Sequence, residues 1–162
     1  MNQSLTVKKL VGHSGCVSSI ALSPGGDVFA TGAEPQWRPE CEVRIWDVSS
    51  GENVRSLCTG LNGIFSIAIS PDCCRLAVGG GGLVSNGRWV YTGGIAVWTL
   101  DGNQRVARFG EELRFIKSMA FSPDGVLLLT CNLGSPNEQP TAQKKAHQTL
   151  ARVRLQGSLG FW

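Results

Sequence analysis

The chain has 162 residues, of which 42% are hydrophobic and 17% are charged, and this globular composition excludes disorder throughout. The formal net charge is only +3, and residues 1–131 carry 11 basic and 11 acidic side chains, so we expect no specific nucleic acid or anionic membrane as a partner. The 21 glycines, 7 prolines and 5 tryptophans favour many short strands joined by tight turns.

The N-terminal residues and the cysteines predict the compartment. No apolar run near residue 1 is long enough for a signal peptide or a membrane span, which predicts an intracellular protein, cytoplasmic or nuclear, in a reducing environment. The six cysteines form no CxxC pair and only two histidines are present, so we expect neither a metal site nor a cofactor. Most of the cysteines are interpreted as small buried hydrophobic residues.

An internal repeat predicts the fold. The hexapeptide SIALSP at 19–24 recurs as SIAISP at 66–71 and as SMAFSP at 118–123, so the closing prolines are 47 and 52 residues apart. In each copy Ser and Ala alternate with two large apolar residues, as a strand requires, and Ser-Pro then forces a turn. The alternation of small and large residues implies a strand packed on both faces.

Further strands are predicted after each hexapeptide. Second strands are expected at 27–32, 75–79 and 126–131, third strands at 43–47 and 95–99, and fourth strands near 53–58 and 104–109. The predicted loops between second and third strands, at 33–40 and 80–94, are longer than tight turns. Four short antiparallel strands per unit are typical of one β-propeller blade.

Three short motifs carry a family resemblance. Gly12-His13 precedes the first hexapeptide, Trp46-Asp47 closes the first repeat, and the form Ser-Pro-Asp-Gly occupies 122–125. Together with the repeat, these residues make about 5–131 resemble the WD40 family closely. The resemblance implies an all-β fragment of a WD40-type propeller, with two complete blades and part of a third. It also implies that residues 5–10 form the outer strand of a preceding blade.

The resemblance further implies a buried hydrogen-bond network in the first blade. A buried indole N–H, hydroxyl or imidazole costs free energy unless it is paired. Glu40 departs from the usual Asp and is one methylene longer, so solvated His13 and Glu40 side chains remain the alternative. The later blades have Gly60 and Glu112 where the His would be and cannot build the network. The positions that match the network are His13, Thr31, Glu40 and Trp46.

The long loops supply the candidate partner-binding site. Each carries a tryptophan nine residues before the blade tryptophan, and the family geometry places both loops on the rim where partners commonly dock. Trp, Tyr and Arg dominate interface hot spots, whereas the alternative is that both tryptophans cap their own loops. The candidate residues are Trp37, Arg38, Arg88, Trp89 and Tyr91.

Motifs typical of catalysis are absent from the sequence. The run Gly79–Gly82 has no following Gly-Lys-Ser/Thr and is interpreted as a flexible hairpin tip. Neither His13 nor His147 lies in a nucleophile motif. We therefore expect no enzyme activity and predict a non-catalytic scaffold or adaptor for protein or peptide partners. A propeller segment of a larger multidomain protein, whose activity lies outside this chain, is the alternative.

The C-terminal part departs from the repeat. We divide the chain into a partial propeller at 1–131 and a polar, basic tail at 132–162, expected to be disordered or to form a short helix within 141–155. Closing a propeller takes about four to eight blades. The sequence is therefore expected to be a piece of a longer protein or to associate with itself through open blade edges.

Overall fold

The computed structural model describes residues 7–34, 43–61, 63–85, 88–100, 104–110, 116–132 and 149–154, with the backbone alone at 82–92 and 149–154. The described residues form three antiparallel sheets, of four, four and three strands, which confirms the predicted all-β blades. Blade 1 contains β1 (Val17–Leu22), β2 (Val28–Ala33), β3 (Val43–Asp47) and β4 (Asn53–Leu57). Blade 2 contains β5 (Ile64–Ile69), β6 (Arg75–Ser85), β7 (Arg88–Thr99) and β8 (Arg105–Phe109), and blade 3 contains β9 (Ile116–Phe121), β10 (Leu127–Asn132) and β11 (Thr149–Arg154).

The three hexapeptides lie in equivalent strands. Each hexapeptide covers the last four residues of a strand, β1, β5 or β9, and the two residues that follow. Each of these is the first strand of its sheet and pairs with the second. Strand β5 also lies against both β1 and β9, so the first strands of neighbouring blades are adjacent. This is the arrangement of innermost propeller strands, and it confirms that each hexapeptide belongs to the first strand of a repeated unit.

The serine of each Ser-Pro pair closes the turn to the second strand. Its hydroxyl accepts from the backbone N–H five residues on, at 3.2 Å from Val28, 2.9 Å from Arg75 and 2.9 Å from Leu127. The third residue after the serine has a positive φ in every copy: 78° at Gly26, 56° at Cys73 and 69° at Gly125. Only Gly adopts this conformation without cost, so Cys73 is in a strained position.

Two hydrophobic cores lie between the blades. We call the face of a blade toward the preceding blade its leading face, and the face toward the next blade its trailing face. Leu76 and Val78 on the leading face of blade 2 pack with the trailing face of blade 1, while Ala77 faces blade 3. Strands β5 and β6 of blade 2 are thus buried on both sides, as the hexapeptide pattern predicts for β5, whereas β8 is mostly exposed. The first core contains Ala30, Val43, Ile45, Leu57, Leu61, Ile64, Ile67, Leu76 and Val78, and the second contains Ala68, Ala77, Ile95, Val97, Ile116, Met119 and Leu128.

The prediction of a loop at 80–94 was wrong. Strands β6 and β7 continue through this range and pair as far as Ser85 with Arg88, well beyond the first residue of β5, which pairs with Gly80. The run Gly79–Gly82 therefore lies inside a strand and is not a hairpin tip. The pairing gives hydrogen-bond partners to the backbone N–H and C=O groups of a segment that the sequence pattern assigned to a loop.

The tail was expected to be disordered or to form a short helix within 141–155, and residues 149–154 do neither. These residues form β11, which pairs with the open edge of β10. The register shows that Val153 pairs with Leu128 just as Trp46 pairs with Phe29 and Trp98 with Leu76. Val153 thus takes the place of the blade tryptophan. The free edge of β10 offers backbone partners that an isolated basic helix lacks.

The outer strand predicted at 5–10 is not formed by residues 7–10, which belong to no sheet in the described structure. They run beside the turn between β3 and β4, where the Lys8 ammonium donates to the carbonyl of Ser50. The prediction that most cysteines are buried was also wrong, since Cys16 and Cys74 are exposed and Cys73 and Cys131 half-buried. These four are free thiols, whereas Cys58 is disulfide-bonded.

Candidate protein-interaction rim

The antiparallel order of the blades creates two rims. First and third strands begin, and second and fourth strands end, at one edge of every sheet, which we call the upper rim. The Ser-Pro turns lie at the opposite, lower rim. The described residues of the upper rim include 10–16, 58–61, 82–85 and 88–92.

The structure brings His13, Thr31 and Trp46 together beneath the upper rim. The indole Nε1 of Trp46 donates to the hydroxyl of Thr31 at 2.8 Å, and that hydroxyl lies 2.7 Å from Nε2 of His13. Trp46 is buried and stacks on Phe29, with ring centroids 6.0 Å apart. Gly12 lies so close to Trp46 that an added Cβ would fall 2.8 Å from the indole. The Gly12-His13 motif is therefore tied to the blade tryptophan.

Burial and the nearby guanidinium of Arg44 favour a neutral imidazole at His13. The Thr31 hydroxyl accepts from Trp46, and it can either donate its own hydrogen to Nε2 of His13 or accept a second hydrogen bond from it. Burial lowers the pKa of His13 from its usual 6.5, and the guanidinium of Arg44 lowers it further. Arg44 Nε is itself buried without a hydrogen-bond partner among the described residues. Sequence reasoning missed Arg44, since nothing in the strand pattern marks it.

Blades 2 and 3 contain separate halves of the same network. Trp98 matches Trp46, but Val78 stands where Thr31 would be, and Trp98 Nε1 is buried without an acceptor in the described structure. Thr130 matches Thr31, but Val153 stands where the tryptophan would be, and the Thr130 hydroxyl is buried without a partner there. The complete arrangement is therefore seen in blade 1.

Asp47 caps the turn that follows the blade tryptophan. Its carboxylate accepts from the Ser49 hydroxyl at 2.6 Å and from the Ser50 N–H at 2.7 Å. These hydrogen bonds lower the pKa of Asp47 to about 2 although the side chain is exposed to solvent. In blade 1 the Trp-Asp pair thus combines a buried donor with a turn cap.

The β6–β7 hairpin is the prominent element of the upper rim. Beyond the four-stranded part of blade 2, Val84 pairs with Trp89 and Ser85 with Arg88, so Arg88, Trp89 and Tyr91 lie on β7. At the base of the hairpin, the Gly81 N–H donates to the carbonyl of Gly63 at 3.2 Å. The predicted site residues Trp37 and Arg38, like Glu40 of the predicted network, lie outside the described residues.

Comparisons with known proteins agree with this geometry. The profile of the family described as "WD domain, G-beta repeat" matches residues 4–47. Eukaryotic translation initiation factor 3 subunit I of Candida albicans is 31% identical over 121 residues, which cover 75% of this chain and 30% of that protein. The chain is a member of the WD40-repeat family. The profile match, the relatives and the four-stranded blades all indicate WD40 repeats.

Two other relatives, both named as WD repeat-containing proteins, are matched over smaller shares of their length. WD repeat-containing protein 90 of Homo sapiens is 30% identical over 121 residues, or 74% of this chain and 6% of that protein. An uncharacterized WD repeat-containing protein of Synechocystis is 30% identical over 81 residues, or 49% of this chain and 22% of that protein. The chain spans about 30% of the length of the initiation-factor relatives that it matches.

Two searches of the described residues bear on other kinds of site. No group of three or more His, Cys, Asp or Glu side chains in this part of the chain is placed to hold a metal ion. No helix in this same part is long and apolar enough to cross a membrane. A cleft of about 250 Å³ lies near the lower rim between blades 1 and 2, lined by Val28, Ile45, Val54, Arg55, Cys73 and Leu100.

Proposed function

We propose that the chain is a non-catalytic scaffold or adaptor module that binds a protein or peptide partner at its upper rim. The β6–β7 hairpin is the observation that carries the proposal. It extends past the four-stranded sheet and places Arg88, Trp89 and Tyr91 in its outer half. Trp37 and Arg38 belong to the neighbouring connection between β2 and β3, which begins and ends at the same rim.

The residue types suit this role. Trp and Tyr bury a large area with few rotatable bonds, and Arg pairs with partner carboxylates through two parallel hydrogen bonds. Outer parts of a hairpin also lack sheet neighbours, so their backbone edges are available to a partner. The initiation-factor relatives are named as subunits, and those proteins are therefore parts of an assembly.

The test compares two double variants of the full chain. Trp89→Ala with Tyr91→Ala removes the hairpin aromatics, whereas Arg105→Ala with Val106→Ala changes exposed positions on β8 away from the rim. Partners are first identified by crosslinking and mass spectrometry, and affinities are then measured with the purified partner. We expect the hairpin variant to lose roughly 30-fold or more in affinity, the usual effect of a hot spot, and the β8 variant to bind normally.

Fold integrity decides between binding and packing roles. Circular dichroism and the urea midpoint are measured for both variants. If the hairpin variant binds normally, the aromatics do not carry binding and the proposal is wrong. If it loses its fold together with binding, the aromatics pack within the chain and the proposal is wrong as well. The same measurements on Trp37→Ala with Arg38→Ala test the second half of the candidate site.

A second function is supported by the relatives' lengths. The match covers 6% of WD repeat-containing protein 90, so the blades also suit a segment of a larger multidomain protein whose activity lies elsewhere. Immunoblotting of the native gene product with an antibody against residues 149–162 distinguishes the two: a much longer product supports the segment. The proposal also includes an intracellular location and self-association through open blade edges. The disulfide at Cys58 runs against a reducing compartment, in which this thiol should be free. Alkylation of Cys58 in cells lysed with the reagent would support the intracellular location, and resistance to alkylation would contradict it.

A further inference from the structure

The cleft between blades 1 and 2 continues the first hydrophobic core toward the surface. Ile45 belongs to that core, and Val28 and Leu100 pack against it while they also line the cleft. Val54, on the outer strand β4, lines the cleft as well and is 56% exposed. The described lining is therefore mostly apolar, and it is open to solvent at Val54.

The corresponding position between blades 2 and 3 is bridged by a long side chain. Val28 and Arg75 each lie four residues after the repeat proline, and Cys73 and Gly125 each lie two residues after it. The guanidinium of Arg75 reaches from blade 2 to blade 3, where it donates to the carbonyl of Gly125 at 3.5 Å. Val28 has no donor and is too short to bridge to the turn at Cys73. The cleft therefore opens where valine stands in place of the bridging arginine.

A cation lies at the cleft where the other interface has a small residue. Arg55 and Ala107 each lie nine residues after the blade tryptophan. Arg55 is half-buried and lines the cleft, and its Nη1 donates to the carbonyl of Leu100 at 3.3 Å. A guanidinium has five N–H groups, so this bond holds Arg55 against blade 2 and leaves donors for a second acceptor. Among the described residues, no carboxylate forms an ion pair with Arg55.

The acidic side chain next to the cleft is bonded within its own turn. Asp72 precedes Cys73, and its carboxylate accepts from the Ser70 hydroxyl and from the Cys74 N–H. These hydrogen bonds hold the pKa of Asp72 below its usual value of 3.8. Arg55 is thus the charged group that the described lining offers to a ligand, and a carboxylate is the group that complements it.

We propose that this cleft is a docking site for a peptide segment of a partner protein, in which an apolar side chain enters the cleft and a neighbouring Asp or Glu pairs with Arg55. The volume of about 250 Å³ lies below the range of about 300–1,000 Å³ typical of small-molecule pockets, so it suits one or two side chains. Apolar burial supplies affinity, and the planar guanidinium fixes the position of the carboxylate. The site goes beyond the scaffold proposal, since it lies near the rim opposite the β6–β7 hairpin.

An unbiased peptide display library tests the chemistry of the occupant. The library is selected on the full chain and counter-selected on an Arg55→Ala variant. We expect the enriched peptides to carry a large apolar residue next to an Asp or Glu. The most enriched peptide, made synthetically, is the probe for the measurements below. No enrichment over Arg55→Ala, or enriched peptides without an acidic residue, would contradict the proposal.

Titration calorimetry gives the affinity of the probe peptide for variants at the cleft and away from it. Arg55→Glu should weaken binding roughly tenfold or more, because it replaces an attractive charge pair by a repulsive one. Val28→Arg should abolish binding, because it copies the arginine that bridges blades 2 and 3. The controls Arg105→Glu and Val106→Arg make the same changes at exposed positions of β8 and should bind with wild-type affinity.

The urea midpoint of each variant separates lost binding from lost fold. If Arg55→Glu or Val28→Arg unfolds the chain, Arg55→Gln takes its place, since it removes the charge and keeps a polar side chain. Wild-type affinity in a folded Arg55 variant would overturn the proposal.

Native thiols report the position of the peptide without any substitution. Cys73 lines the cleft, whereas its exposed neighbour Cys74 does not. Iodoacetamide labelling, read by tandem mass spectrometry, should be slowed several-fold at Cys73 by saturating probe peptide and unchanged at Cys74. Protection of both thiols, or of neither, would show that the peptide does not lie in the cleft.

The same labelling identifies the other occupants. Protection of Cys73 without peptide at every chain concentration would mean that a segment of this chain fills the cleft. Protection that grows with chain concentration would mean that a second copy fills it, and either result overturns the proposal. The Trp89→Ala and Tyr91→Ala variant should bind the probe peptide normally, so failure of this site and failure of the hairpin site are distinguishable.

Discussion

Replacing Thr31 by Val removes one hydroxyl from the centre of the blade 1 network while keeping the shape of the side chain. The hydroxyl accepts from Trp46 Nε1 at 2.8 Å and lies 2.7 Å from His13 Nε2. Trp46 is buried, so its orphaned N–H costs about 1–3 kcal/mol. The half-buried His13 recovers part of its bond from water, which adds roughly 0.5–1 kcal/mol. We expect the free energy of unfolding to fall by about 1.5–4 kcal/mol.

Urea unfolding followed by tryptophan fluorescence measures this change, which corresponds to a midpoint shift on the order of 1 M. Thr130→Val is the matched control, because Thr130 holds the same repeat position but its buried hydroxyl has no partner in the described structure. That variant should be neutral or slightly stabilising. Equal losses in the two variants would show that the hydrogen bonds of Thr31 contribute nothing and would refute the reasoning.

Three further predictions concern Trp98, Cys73 and His13. Val78→Thr should give Trp98 Nε1 the acceptor it lacks and raise stability by about 0.5–1.5 kcal/mol, a gain that should vanish in a Trp98→Phe background. Cys73→Gly should stabilise by roughly 0.5–1 kcal/mol, since it relieves a left-handed non-glycine residue, while Gly125→Ala at the matching turn should destabilise. The pKa of His13 is lowered on folding, so the unfolded chain binds its proton first and stability should fall as the pH drops through 6.5. A His13→Gln variant measured by urea titration at each pH should lack this component, and an unchanged slope would contradict the assignment of a neutral His13.

The repeat carried most of the fold prediction. Alternation within the hexapeptides and the Ser-Pro turns placed β1, β5 and β9 correctly, and the predicted burial on both faces holds for β5 but not for β1, which is largely exposed. The third strand of blade 3 could not be predicted from the sequence. It has Val153 at the blade tryptophan position, and only pairing with β10 reveals the match. Register depends on backbone contacts across about 25 residues, which no local pattern encodes.

The candidate site was predictable only in part. His13, Thr31 and Trp46 stand at positions that the family motif marks, and the structure brings them together. The β6–β7 hairpin was predicted as a loop at 80–94, and the glycines at 79–82 were interpreted as a flexible hairpin tip. These glycines instead lie in paired strands, where Gly80 and Gly81 allow Gly63 to approach closely. The strand pairing in this segment therefore depends on a long-range contact with Gly63, which the local composition does not indicate.

The cores between the blades have a consequence for how the chain unfolds. Each sheet owes much of its apolar burial to the neighbour on either side, and no blade has a closed core of its own. Stability then behaves as a sum over nearest-neighbour couplings along a one-dimensional array. In a single copy of the described residues, blades 1 and 3 each pack against one other blade and blade 2 packs against two, so blades 1 and 3 should exchange amide hydrogens faster than blade 2. Fraying would thus proceed from the ends toward β5 and β6.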